Sequence, residues 1–193
     1  MTANMKYDPD KHHRKSIRLK GYDYSQSGAY FVTICTYNKE YLFGNIVDEK
    51  MNLSETGAIV SKCWNNIPDH FPDALLDYFV VMPNHIHGII NIVGAKHSHL
   101  VSTNEASPSS VNASSLQPYG TNPNSLGAII QNFKSVTARK VNRMLGRQNV
   151  PLWQRHYYEH VIRNEDDLNE IREYIVNNPL KWALDKENMD NKM

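Results

Sequence analysis

The chain has 193 residues, 40% apolar and 21% charged, with 21 Lys and Arg against 20 Asp and Glu. That composition supports one hydrophobic core and excludes a wholly disordered chain, which would hold fewer apolar residues or more net charge. No apolar run reaches the ~18 residues of a membrane helix, the N-terminal segment is polar, and two cysteines, Cys35 and Cys63, are too few for a disulfide framework. The expectation is one cytoplasmic domain over 1–193 with reduced thiols and no membrane partner.

In chain order, residues 29–37 (AYFVTICTY) are β-branched and aromatic and predict a strand. Ser54 and Glu55 open a helix to about Ile67, with Ala58, Ile59, Val60, Cys63 and Trp64 as its apolar stripe. Residues 75–82 and 85–93 read as two strands joined at Pro83–Asn84. A Ser-, Asn- and Pro-rich stretch then predicts a flexible insertion over 95–124. Residues 125–145 carry apolar positions at helical spacing, and 157–162 form a short strand. Asn164, followed by three acids, starts a last helix that Pro179 stops. This order fits an α+β fold, a ferredoxin-like βαββαβ antiparallel sheet with helices on one face and one more helix at the C-terminal end.

Charge is unevenly spread. Residues 11–20 hold Lys11, Arg14, Lys15, Arg18 and Lys20 without an acid. From 106 to 158 there is no Asp or Glu, while Lys134, Arg139, Lys140, Arg143, Arg147 and Arg155 are basic. A solvated helix face explains this as well as a phosphate backbone does.

His85 and His87 stand at i and i+2 on a strand, so both imidazoles share a face and suit one metal ion or one phosphate. Ile86 and Ile89 are read as the opposite, apolar face. His97 and His99 repeat the pattern inside the insertion, which shows how common such pairs are. Tyr174 and Asn178 lie one helical turn apart and offer a phenol and an amide oxygen. A tyrosine at the edge of an apolar stripe ordinarily packs, however, and an Asn before Pro ordinarily ends a helix. Of Tyr157 and Tyr158, which alternate faces, one should pack and the other lie on the surface. Cys35 and Cys63 read as buried and inert.

Three segments, MPNHIHGII (82–90), LWQRHYYEHVIRNEDDL (152–168) and REYIVNNPLKW (172–182), resemble the IS200-like Y1 transposases, and most closely the REP-associated tyrosine transposases. The resemblance implies a ferredoxin-like fold with the nucleophile on the last helix. The family's H-x-H lands on His85 and His87, its nucleophilic tyrosine on Tyr174 and its third metal ligand on Asn178. Tyr157 and Tyr158 are not the nucleophile by this alignment. The resemblance also implies a metal-dependent enzyme that cleaves and joins single-stranded DNA at hairpin-forming repeats through a 5′-phosphotyrosine. Two imidazoles tolerate zinc, whereas an amide and a phosphate oxygen favour Mg²⁺ or Mn²⁺, as the family also implies. The DNA path is expected along Arg14, Lys15, Arg18, Lys134, Arg139, Lys140, Arg143 and Arg155. The tyrosine helix is expected to dock on its own subunit or, in a homodimer, on its partner's. The rivals are a non-catalytic nucleic-acid module of RNA-recognition type, a metal-dependent phosphodiesterase that uses water, and an inactive remnant.

Overall fold

The computed structural model describes residues 22–93 and 123–192. Arg14, Lys15 and Arg18, and nearly all of the 95–124 insertion, lie outside the described residues.

Four strands form one antiparallel sheet: β1 (Gly28–Cys35), β4 (Ala74–Val81), β5 (His85–Ile92) and β6 (Tyr158–Ile162). Their order is β4-β5-β1-β6. With α1 (Glu55–Asn65) after β1 and α3 (Leu126–Met144) after β5, this is the ferredoxin-like βαββαβ arrangement that the sequence predicts. A four-residue helix, α2 (Ile67–His70), follows α1, and α4 (Glu165–Asn177) follows β6. Ser54, Ser125 and Asn164 cap α1, α3 and α4, each accepting from the backbone N–H three residues on. Each cap contributes about 1 kcal/mol.

A short hairpin, β2 (Gly44–Val47) with β3 (Lys50–Leu53), escapes the sequence reading. Its turn residues, Asp48 and Glu49, both take positive φ, where an Asn-Gly or Asp-Gly pair would have signalled a hairpin.

Alternation along the strands gives the sheet two different faces. Tyr30, Val32, Ile34, Ile86 and Ile90 point toward α1 and α3, where Trp64 and Phe133 complete the main core. Phe31, Ile89 and Ile162 point the other way, against Ile175 of α4. Ile89 therefore shares the face of His85 and His87 rather than opposing it, because 85, 87 and 89 are in phase with the two-residue pleat. Helices α1 and α3 share one face as expected, and α4 takes the other.

Gly88 is required where it stands. A Cβ there would lie 2.3 Å from the Trp64 ring, which is fully buried and stacks on Phe79. Gly88→Ala is expected to destabilise the fold by about 1–3 kcal/mol, measured by chemical denaturation.

Candidate active site

The start of β5 places His85 and His87 on the α4 face of the sheet, both essentially inaccessible to solvent. Their Nε2 atoms are 2.9 Å apart. The outer nitrogens are also engaged: His85 Nδ1 lies 2.8 Å from Asn84 Oδ1, and His87 Nδ1 lies 2.8 Å from Thr33 Oγ1. Phe31 stacks on the His87 ring at 5.5 Å.

Helix α4 brings Tyr174 to this pair within one chain. Its Oη is 3.3 Å from His87 Nε2, and its ring lies 5.1 Å from the His87 ring. The helix is held at both sides of the tyrosine. Ile175 is buried against Ile89 and Ile162. Arg172 makes a charged pair with Asp77, 2.6 Å at its shortest, and lies over the Tyr78 ring. Asp77 and Tyr78 occupy the register irregularity between Leu76 and Phe79 of β4. A bulge of this kind re-aims side chains that a regular strand would alternate.

Asn178 follows one turn later and is 3% exposed. Its Oδ1 has no hydrogen-bond partner among the described residues. A buried amide oxygen left in this way costs roughly 1–3 kcal/mol, so something is expected to use it. Tyr174, by contrast, is 40% exposed.

The C-terminal segment after Pro179 closes the site. Asp185 Oδ2 is 3.8 Å from His85 Nε2, and the ligand atoms of His85, His87 and Asp185 all lie within 4.8 Å of one another. Trp182 covers His85 with ring centroids 6.0 Å apart. Glu187 pairs with Lys39 at 2.6 Å and accepts from the Cys35 thiol at 3.5 Å. Cys35 is thus half-buried at the edge of the site rather than an isolated core thiol, and burial foremost pushes it up to about 12.

The donor set of His85, His87 and Asp185 fits a divalent cation. Octahedral Mg²⁺ with ligands at ~2.1 Å sets adjacent ligand atoms about 3 Å apart. The two Nε2 atoms have that separation, and the Asp185 carboxylate supplies an oxygen donor within reach of both.

Burial holds both imidazoles below their ordinary pKa, His85 against the opposing pull of Asp185 and His87 with help from the His85 charge. Both rings are therefore neutral near pH 7, as ligands must be. Burial and the Asp185 charge raise the Tyr174 phenol, while the Asn178 amide lowers it. The unfolded chain takes protons at these histidines near pH 6.5, and the folded chain refuses that of His85 until about 4. Stability is therefore fully present above pH 6.5 and is lost as pH falls toward 4. Thermal melts of the metal-free protein should show that decline, and His85→Gln should flatten it.

The other predicted residues divide. Tyr157 packs on the main core, whereas Tyr158 is exposed on the edge strand with its ring 6.2 Å from Phe31. Lys134 turns inward and donates to the carbonyls of Gln154 and Arg155. Arg139, Lys140 and Arg143 are exposed on α3, across the sheet from Tyr174. Arg155 is exposed and lies nearer the site, since Gln154 N donates to the carbonyl of Cys35, the β1 residue paired with His85. Asp185, Glu187 and Asn84 were missed by the sequence reading. Asp185 and Glu187 follow the last periodic helix in a polar tail, and Asn84 reads locally as a turn residue.

Among the described residues no helix is long and apolar enough to cross a membrane. No family model matches the chain. A solved structure of a REP-associated tyrosine transposase bound to a REP hairpin superposes with a TM-score of 0.55 at 17% identity, covering 88% of this chain and 76% of that one. That likeness is one of fold. A Haemophilus influenzae protein described as uncharacterized is 45% identical over 184 residues, which is 94% of this chain and 96% of the relative. At that identity and coverage the chain belongs to one family with the Haemophilus influenzae protein, and it carries the fold of a REP-associated tyrosine transposase.

Proposed function

We propose that this protein is a tyrosine transposase of the HUH type, cleaving and rejoining single-stranded DNA at hairpin-forming repeats through Tyr174. His85, His87 and Asn178 would hold Mg²⁺ or Mn²⁺, with Asp185 as a further oxygen donor. One observation carries the reading: the phenol of half-exposed Tyr174 stands 3.3 Å from His87 Nε2, one of a buried pair of imidazole nitrogens in the same chain. The three sequence motifs around His85, Tyr158 and Tyr174 support it, as does the structural relative, which was solved with a REP hairpin bound.

The cation, when bound, supplies positive charge against a non-bridging phosphate oxygen as negative charge builds in the transition state. Tyr174 Oη attacks phosphorus in line and gives its proton to water. The P–O3′ bond breaks, and the 3′-oxygen leaves and takes up a proton. The strand then ends in a free 3′-OH on one side and a 5′-phosphate bonded to Tyr174 on the other. Attack by a 3′-OH on that phosphotyrosine reseals the strand without ATP, because the covalent bond conserves the energy of the cleaved one. Phe31 meets the tyrosine ring edge-on, and buried Ile175 with the Arg172–Asp77 pair fixes the helix that presents it.

The test uses labelled single-stranded hairpin DNA, drawn from repeats beside the gene, with the protein and Mn²⁺. Label that stays with the denatured protein supports the reading. Metal-dependent nicking without retained label would favour hydrolysis by water, and binding without nicking would favour a non-catalytic module. A separate expectation concerns Asn178→Leu. Relief of the orphaned buried oxygen offsets the loss of the amide's contact to the Tyr174 phenol, so stability should change little, while Mn²⁺ affinity falls about tenfold or more. Calorimetric titration beside a thermal melt measures both.

A further inference from the structure

Asn84 is fully buried where three parts of the chain meet: the exit of β1, the start of β5 and the C-terminal segment. Its side-chain Nδ2 donates to two backbone carbonyls, those of Lys39 at 3.2 Å and Glu187 at 2.8 Å. Its own carbonyl accepts from both the N–H and the hydroxyl of Thr36, at 2.8 and 3.0 Å. The Lys39 carbonyl is aimed by a turn in which Asn38 and Lys39 both take left-handed backbone conformations, φ 53° and 56°. Two non-glycine residues in that region are uncommon and need surrounding structure to hold them.

This environment settles which way the amide points. Both N–H bonds of Nδ2 are taken by oxygens that can only accept, so Oδ1 is the atom facing His85 Nδ1 at 2.8 Å. An amide oxygen only accepts, so His85 Nδ1 must carry the proton of the neutral ring. Its Nε2 is then bare and aimed at His87 Nε2 and toward Asp185. His87 is not fixed in the same way, because the Thr33 hydroxyl opposite its Nδ1 can donate or accept. Without a cation, His87 Nε2–H donates to His85 Nε2, and the 2.9 Å contact is an ordinary hydrogen bond. For both nitrogens to ligate a cation, His87 shifts its proton to Nδ1 and Thr33 turns to accept it.

We propose that Asn84 is the positioning residue of the site: it locks His85 in the tautomer that ligates, and through Glu187 it ties that lock to the docking of the C-terminal segment bearing Asp185. The assignment of a cation to His85 rests on the proposed transposase function; the tautomer itself does not. Partners of this kind outside a metal's ligands typically change metal affinity about 10–100-fold when removed.

The experiment is long-range ¹H–¹⁵N spectroscopy of the histidine rings in the cation-free protein, with Mn²⁺ titrated calorimetrically in parallel. The parent should show His85 as the Nδ1–H tautomer. Asn84→Ala should lose that single tautomer and bind Mn²⁺ at least tenfold more weakly. Asn84→Asp keeps an acceptor for Nδ1–H but loses both donors, so it should retain the tautomer while hydrogen exchange quickens over residues 185–190. An Nε2–H tautomer at His85 in the parent overturns the proposal, as does an Asn84→Ala protein with unchanged tautomer and Mn²⁺ affinity. Should Asn84→Ala fail to fold, the Asp variant decides, and loss of Nδ1–H there overturns it. An Nδ1–H tautomer in a parent that binds no Mn²⁺ overturns the metal reading and leaves the tautomer assignment standing.

Discussion

Tyr174→Phe is expected to bind hairpin DNA about as well as the parent and to form no covalent adduct. Tyr174 is 40% exposed, and its phenol oxygen makes a 3.3 Å contact to His87 Nε2. The ring's packing against Phe31 and His87 survives the substitution, so the fold should be little affected. Tyr158, the nearest other tyrosine by ring contacts, approaches Phe31 rather than the histidines, so it does not replace the lost hydroxyl. Cleavage should drop at least about a thousandfold, equivalent to ~4 kcal/mol on the barrier. Gel analysis of adduct and nicked strand in the same reaction measures it, and persistent cleavage would move the nucleophile to Tyr157, Tyr158 or water.

His85→Ala is expected to remove metal-dependent cleavage to a similar degree, for a different reason. The substitution deletes a nitrogen that Asn84 orients and that stands 2.9 Å from His87 Nε2 and 3.8 Å from Asp185. The remaining donors no longer converge from two sides. A buried ring is lost and Asn84 Oδ1 is left without a donor, so stability should also fall, by about 1–3 kcal/mol. The two effects separate by a Mn²⁺ titration on protein shown to be folded. Unchanged metal-dependent activity would sink the metal assignment. Mixing His85→Ala with Tyr174→Phe adds a further reading. Because Tyr174 reaches His87 of its own chain, the mixture should stay inactive, and recovered activity would show that the helix docks on a partner.

Much of this was legible in the sequence for identifiable physical reasons. The ferredoxin-like order follows from hydrophobic periods and caps, and Ser54, Ser125 and Asn164 cap the helices they were expected to open. The i, i+2 spacing of His85 and His87 dictated a shared face on any regular strand. The pairing of that face with α4 was not written in a local pattern. It depends on Ile175 meeting Ile89 and Ile162 and on Arg172 finding Asp77, far earlier in the chain. Assigning Ile89 to the far side from the histidines was an error of phase, since an odd number of residues separates opposite faces and 87 to 89 is an even step. Asp185 and Glu187 carried no periodic signal. They matter because residues 182–190 fold back over His85 and are fastened by Asn84 and by Tyr41, whose hydroxyl donates to Asn188. Lys134 shows the opposite failure: a cation in a basic run is spent inside the fold on two carbonyls.

The most direct test of the central claim is peptide mapping of the protein trapped on a hairpin strand with Mn²⁺. After nuclease and protease digestion, mass spectrometry should find the nucleotide remnant on the peptide bearing Tyr174, attached at that residue. A remnant on Tyr157 or Tyr158, or nicked DNA with every tyrosine unmodified, would contradict the account.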